Sequence, residues 1–326
     1  PSRITDVIPK SKVLSERNGV YKVLVYWGLN EVRVLRNLGF EDTPSPITGR
    51  YAWPGMYTPM SHQRDTAAFF TLNRRAYCFN GLGSGKTVSA IWAADYLLAS
   101  KIIKRVLVIC PMSTMQTTWQ TDLFRTVMHR TVSIAHGARQ KRKEIIHNGS
   151  EFTIINTDGV PTVAADLRKG GYDLVILDEA TSVKTATTQR WRSINSVINP
   201  KTWLWMMTGT PASQSPLDAY GLARMMNRDT APRTFTSWRD EVMIKVNMFK
   251  WVPRAGWRDK VFDLLQPAIC FATEDCIDLP EITYVTREVP LSKQQNEAYE
   301  ALRKQLAVIA AGETISAVNA AAGQMK

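Results

Sequence analysis

The sequence predicts an α/β protein, a mostly parallel sheet flanked by helices, preceded by a small α+β accessory unit. Three observations carry this. Short apolar runs recur with helical stretches between most of them, the pattern of strands buried on both faces. The first of these runs passes directly into a glycine-rich loop and then a small-residue helix, FNGLGSGKTVSA at Phe79–Ala90. The composition, 44% hydrophobic and 21% charged over 326 residues, is that of a globular chain able to bury a sizeable core.

Residues 1–57 read as the accessory unit. VYKVLVYW (Val20–Trp27) is rich in β-branched and aromatic residues and predicts a strand. NEVRVLRNLG predicts a helix with Asn30 as N-cap and Gly39 as the stop. DTPSPITGRYAWPGMYTP sets prolines and glycines among polar residues, which marks a linker or an ordered loop. From Thr58 the main lobe, 58–290, begins. Strands are expected at RAYCFN, RVLVICP, TVSIAHG, FTIINT, YDLVILDEA and TWLWMMTGTP, with helices at TVSAIWAADYLLAS and TTQRWRSINSVI. Around 217–282 the alternation gives way to a helical and irregular insertion, where Trp238, Trp251 and Trp257 read as core. EITYVTREVPL predicts a last strand, and a helix capped at Ser292 opens the segment 291–326. In such a sheet the functional loops gather at the carboxyl ends of the strands.

Lys and Arg total 41 against 29 Asp and Glu, a formal charge of +12. That excess suits either a polyanionic partner or plain solubility. No apolar stretch reaches the ~20 residues of a membrane span, and PSRITDVIPKSKVL lacks the apolar core of a secretory signal. A cytoplasmic protein without a membrane partner is expected. Cys78, Cys110, Cys270 and Cys276 have no metal-ligand spacing and read as four reduced core residues, and the four histidines also lack ligand spacing.

GLGSGKT between a strand and a helix is a phosphate loop. Gly83, Ser84 and Gly85 let the backbone curl around an anion, and the helix from Lys86 adds the positive end of its dipole. Lys86 would reach the β- and γ-phosphates of ATP, and Thr87 would ligate Mg²⁺. Position 80, a glycine in the strict pattern, is Asn80. About ninety residues on, YDLVILDEATSVK ends a buried strand in two carboxylates. Asp178 is the expected Mg²⁺ partner, and Glu179 can polarise the attacking water. Thr208, Gly209 and Thr210 follow another apolar strand, where the hydroxyls can sense the γ-phosphate.

These three motifs, in this order and spacing, resemble motifs I, II and III of superfamily-two helicases. Within that superfamily the chain resembles the SWI/SNF-like branch of double-stranded DNA translocases, particularly its phage-encoded members. RVLVICPMSTMQTTWQTDLFR is similar to motif Ia, with Pro111, Ser113 and Trp119 in matching places, and IINTDGV is similar to motif Ib. YTPMSHQRDTAAFF resembles the Q-motif region, with Gln63 as the adenine reader, and Asn80 stands where this branch often carries Asp. Thr181 stands where the family usually has His.

The resemblance implies a RecA-like phosphate-loop lobe that binds Mg-ATP and tracks on DNA, acting for a phage in the host cytoplasm. It assigns Ser113, Thr114, Thr157 and Asp158 to the DNA backbone. It also implies a second RecA-like lobe, following residues 291–326, that supplies an arginine finger. GARQKRKEIIH, with Arg139, Lys141, Arg142 and Lys143, is either a solvated helix face or part of the DNA path. Two other functions share the motifs: a phage DNA-packaging ATPase, and a nucleotide-gated DNA-binding module without catalysis.

Overall fold

The computed structural model describes residues 2–212, 214–247, 250–276 and 285–311. Two units are distinguished, Pro1–Asp278 and Leu279–Lys326.

In the first unit a hairpin opens the chain. Strand β1 (Lys12–Arg17) pairs antiparallel with β2 (Val20–Leu24) across Asn18–Gly19, both at positive φ as a tight hairpin turn requires. The Leu29–Asn37 helix starts at Gly28, not at Asn30, because the Gly28 carbonyl already accepts the first helical bond, from the Val32 N–H (3.0 Å). Gly39 ends it as expected. Its left-handed φ of 97° lets the Phe40 N–H return to the Leu35 carbonyl (3.0 Å).

The proline- and glycine-rich stretch is an ordered loop. Tyr51 donates its hydroxyl to Asp95 (2.5 Å), and the Trp92 indole donates to the Pro54 carbonyl (3.0 Å). Upstream, Arg33 donates to the Thr71 carbonyl (2.6 Å), and the Ser45 and Thr71 hydroxyls share a buried bond (2.7 Å).

The remaining strands are β3 (Arg75–Cys78), β4 (Val106–Cys110), β5 (Val132–Ile134), β6 (Phe152–Asn156), β7 (Leu174–Asp178), β8 (Trp203–Met207), β9 (Met243–Lys245), β10 (Trp251–Pro253) and β11 (Ala268–Ile269). β9 and β10 form a small hairpin. The others make one parallel sheet of seven, in the order β11-β3-β8-β7-β4-β6-β5. The six strands expected from RAYCFN to TWLWMMTGTP are present, and β11 adds an edge that two residues after Pro267 could not announce.

The period of two along each strand feeds two separate cores. Leu107, Ile109, Val175, Leu177, Leu204 and Met206 face one way, against the Val160–Lys169, Gln189–Val197 and Ala219–Met226 helices. Val106, Val108, Leu174, Ile176, Trp205 and Met207 face the other, against the Ser61–Leu72 and Lys86–Ala99 helices. Burying each such side chain contributes about 1.5–3 kcal/mol, so the centre of the sheet is fixed in register.

Trp238 is core, its indole bonded to the Pro216 carbonyl (3.0 Å), while Trp251 and Trp257 are half-buried against it. Only two cysteines meet the expectation. Cys78 and Cys110 are buried and their thiols are pushed up to about 12 by burial, but Cys270 is exposed and Cys276 half-buried. The reason is position: both follow the short edge strand β11 rather than lying within a central strand.

In the second unit Ser292 caps the Lys293–Ala311 helix as expected, exchanging bonds with Gln295 (3.0 and 3.3 Å). Of the expected strand EITYVTREVPL, residues 281–284 lie outside the described residues, and 285–291 form no strand.

Asp95 is a buried carboxylate joining Tyr51, Arg130 (2.6 Å) and His129 (3.0 Å). Asp95→Ala leaves the Arg130 guanidinium with Glu151 as its one carboxylate partner, beside the backbone carbonyl at position 95 (3.4 Å). It is expected to lower unfolding free energy by about 3 kcal/mol, measured by urea denaturation. A loss below about 1 kcal/mol would make the cluster a solvated ion pair instead.

Candidate functional site

The register of the sheet lines up the ends of its strands. Cys78 of β3 is opposite Met207 of β8, and Met207 is opposite Asp178 of β7. Farther along, Leu177 is opposite Ile109 of β4, and Cys110 is opposite Asn156 of β6. The glycine loop, the 208–210 turn, the acid pair and the loops after β4 and β6 therefore emerge side by side at one edge. Cys78 and Asp178 lie two strand spacings apart, about 9.6 Å.

The glycine loop is held by its own carbonyls. Lys86 turns its ammonium onto the Asn80 and Gly81 carbonyls (2.7 and 2.8 Å). The Ser84 hydroxyl also donates to Gly81 (2.8 Å), and Thr273 donates to Leu82 (3.2 Å). His62, buried, and Gln63 both bond the Ser84 carbonyl, at 2.8 and 3.2 Å. Gly83 and Gly85 sit at φ 75° and 77°, and Gly85 caps the Lys86–Ala99 helix in the left-handed region. A Cβ at Gly85 would displace the Gln63 amide, which it would meet at 2.2 Å, and the left-handed φ favours glycine there. Thr87, half-buried, is the second residue of that helix.

Asn80 has a structural reason to differ from glycine. Its side chain is buried, donating to the Thr66 hydroxyl (2.8 Å) and accepting from the Phe271 N–H (3.1 Å). One amide thus ties the loop to the Ser61–Leu72 helix and to the segment after β11. The Gly81 N–H to Phe271 carbonyl bond (2.9 Å) runs beside it.

The acid pair is unusual in shape. β7 ends at Asp178, and Glu179 adopts φ 50°, ψ 57°, a left-handed conformation costing about 1–2 kcal/mol for a residue with a Cβ. That turn folds the Glu179 N–H back onto Asp178 (3.1 Å). The other Asp178 oxygen accepts the Trp119 indole N–H (2.9 Å). Burial raises the Asp178 pKa, opposed by the bonds from Trp119 and Glu179 and by the Lys86 charge. Burial and the Asp178 charge raise Glu179, and Lys86 again opposes. Lys86, Asp178 and Glu179 therefore share one electrostatic field, with two acids to one ammonium. A hard divalent cation fits that imbalance of oxygen donors.

Thr208 is buried, its N–H bonded to the Cys78 carbonyl (3.1 Å), and its hydroxyl accepts from the Thr210 N–H (3.3 Å). A Cβ on Gly209 would come to 3.8 Å from the Asn80 carbonyl, so the turn abuts the loop. Thr210 is exposed.

After β4, Ser113 is exposed, and Thr114 donates to the Pro111 carbonyl (3.1 Å). After β6, the Thr157 hydroxyl turns inward to the Cys110 carbonyl (3.2 Å), and Asp158 pairs with Arg190 (2.5 Å). Sequence reasoning missed the Trp119–Asp178 bond, His62, and the Thr66–Asn80–Phe271 staple. Only the Asn80 departure from glycine hinted at any of them.

The fold and this site define a RecA-like phosphate-loop lobe, a mostly parallel sheet with the loop after an inner strand. Residues 74–325 match the SNF2-related domain, and the chain belongs to that family. It is 23% identical over 288 residues to protein p41 of Acyrthosiphon pisum secondary endosymbiont phage 1, covering 83% of this chain and 62% of that protein. It is similar in fold to the Sulfolobus solfataricus SWI2/SNF2 ATPase core in complex with dsDNA, with a TM-score of 0.57 and 16% identity. That likeness covers 80% of this chain and 55% of that one. The chain thus spans 55–62% of the length of these two proteins. The resemblance to the SWI/SNF-like branch, phage-type members included, holds. Among the described residues no helix is long and apolar enough to cross a membrane.

Asn80→Ala takes the acceptor from the Phe271 N–H and one donor from the Thr66 hydroxyl, which still bonds the His62 carbonyl (2.7 Å). It is expected to destabilise the fold by about 2 kcal/mol, read by thermal and urea unfolding. Unchanged stability would mean that water replaces the amide at no cost.

Proposed function

We propose that the chain carries the first motor lobe of an ATP-dependent DNA translocase or helicase. The observation that supports this best is the row across the sheet edge, where loop, threonine turn and acid pair follow the neighbouring strands β3, β8 and β7. Family membership and the fold likeness favour the same reading.

In this reading Gly83, Ser84, Gly85, Lys86 and Thr87 hold the phosphates of ATP, and Gln63 stands near the adenine. Lys86 swings from the Asn80 and Gly81 carbonyls to the β- and γ-phosphates, exchanging neutral acceptors for charged ones. Thr87 and Asp178 would hold Mg²⁺, which when bound would neutralise phosphate charge. Glu179, its pKa raised by burial and by Asp178, orients the attacking water and is suited to take its proton. Thr208, Gly209 and Thr210 relay the phosphate state toward the neighbouring loops.

Duplex DNA is the proposed partner. Ser113, Thr114, Thr157 and Asp158 lie on the two loops that share that edge with the site. With its hydroxyl committed to Cys110, Thr157 is left to act through its backbone. The basic helix Arg139–His147 leans on the same turn, since Arg142 donates to the Asn156 side chain (3.1 Å), and Arg139 and Lys141 stand exposed. Phosphodiester contacts of this kind position a protein without reading sequence. A second RecA-like lobe closes over ATP and supplies the arginine finger.

Lys86→Ala is expected to weaken Mg-ATP binding by about tenfold or more, about 1.4 kcal/mol, while Glu179→Gln retains binding and loses hydrolysis. Fluorescent-nucleotide titration and phosphate release distinguish them, and loss of binding in the Glu179 variant would assign it a different role. An arginine finger is worth about 10³–10⁵ in rate. The chain is therefore expected to bind nucleotide yet hydrolyse it slowly, with little stimulation by duplex DNA. Rapid, DNA-stimulated turnover without a second lobe would overturn the two-lobe reading. Nucleotide binding with no turnover even beside a second lobe would make this a nucleotide-gated DNA-binding module.

A further inference from the structure

We propose that Trp119 is a positioning residue that ties the loop after β4 to the carboxylate of Asp178. This rests on the reading of Asp178 as the Mg²⁺ partner and of that loop as a DNA contact.

The indole is completely buried, among Met115, Leu123 and the core beneath the Lys86–Ala99 helix. Trp is donor-only, and a buried indole N–H needs an acceptor. Here the acceptor is one oxygen of Asp178 (2.9 Å), the other being taken by the Glu179 N–H (3.1 Å). The carboxylate is thereby fixed from both sides, and displacing the indole leaves it held from one side only.

What carries the indole is equally specific. Trp119 lies in a π-helical stretch, Met115–Gln120, that follows Ser113 and Thr114 directly. Ser113 is bound into it, its carbonyl accepting the Thr117 hydroxyl (2.7 Å). The stretch then continues without a break into the Thr121–Thr126 helix. π turns are rare, hold an extra residue per turn, and mark functional sites. A shift of the loop that tightened this turn toward α geometry would rotate Trp119 relative to Asp178. The neighbouring turn joins the same path through the Thr157 hydroxyl on Cys110 (3.2 Å).

Duplex bound at the loop and Mg-nucleotide bound at Asp178 would then bias one element, and such coupling acts equally in both directions. Trp119 touches neither ligand. It acts by holding the acid.

Trp119→Phe removes the N–H and keeps most of the ring. In the 326-residue chain it is expected to leave ADP affinity in EDTA unchanged and to cut the Mg²⁺-dependent gain in affinity about five- to tenfold, within the worth of an ordinary hydrogen bond. The factor by which a blunt duplex changes Mg-ADP affinity should fall toward one. In an Asp178→Asn background the Phe substitution should add nothing further.

A wild-type Mg²⁺ gain and duplex coupling in the Phe variant would overturn the proposal. So would equal losses with and without Mg²⁺, which mean a packing role alone. If the wild-type chain shows no Mg²⁺-dependent gain, the reading of Asp178 fails and takes this proposal with it. Should the Phe variant not fold, hydrogen exchange on the wild-type chain decides. Protection at residues 115–120 should change with Mg-ADP and, separately, with duplex, and no change with either refutes the coupling.

Discussion

The structure depends on the register of four central strands. Because β3, β8, β7 and β4 are parallel, buried on both faces and unable to slip without exposing a core face, their carboxyl ends are fixed to within one residue. That brings two acids and one ammonium into a partly buried space that the two carboxylates do not favour. The raised Asp178 and Glu179 carboxyls record the conflict. Strand packing supplies the stability that tolerates it, and a bound cation would remove it. Strain of this kind is expected where a site is organised before its ligand arrives.

The phosphate loop illustrates the same economy at the level of single dipoles. A loop that accepts anions must keep its carbonyl oxygens away from them. Here the carbonyls of Asn80, Gly81, Leu82 and Ser84 are each occupied by a side chain, from Lys86, Ser84, Thr273, and His62 with Gln63. Those side chains come from the loop itself, the preceding helix, and the segment after β11. The loop is therefore not a free glycine flap. Its shape is specified by elements on both sides of it in the chain, and Asn80 and Gly81 sit where the β11 segment crosses.

How much of this was legible follows from the range of each interaction. The six expected strands and the Lys86–Ala99 helix announce themselves by apolar runs and local punctuation. The acid pair and loop are legible because their chemistry demands fixed residue types at close spacing. Asn30 failed as a cap because Gly28 already held the extended backbone geometry of the position. β11 was invisible because two residues carry no period, and its partner strand lies about 190 residues earlier, a separation seen in the Phe271–Asn80 bond. Trp119 was read as part of a motif, but its acceptor lies 59 residues away on another strand. Cys270 and Cys276 escaped burial because they sit beyond that short edge strand.

The net charge of +12 invites a simple electrostatic account, and the structure divides it. Several arginines are committed inside the protein. Arg75 caps the end of the Ala219–Met226 helix through the Met225 and Met226 carbonyls, and Arg105 binds the Gly170, Ile146 and Ser150 carbonyls. Arg33 lies over the Trp203 ring. These cations serve helix ends and aromatic faces and add little to the field a polyanion would feel. The basic run 139–143 divides in the same way. Lys143 pairs with Asp166 (3.8 Å) and Arg142 with Asn156, while Arg139 and Lys141 remain exposed beside the turn after β6. Charge counted along the chain therefore overstates the attraction of the surface as a whole. The exposed cations of the basic run, Arg139 and Lys141, belong instead to a helix that Arg142 ties to Asn156 at the carboxyl end of β6.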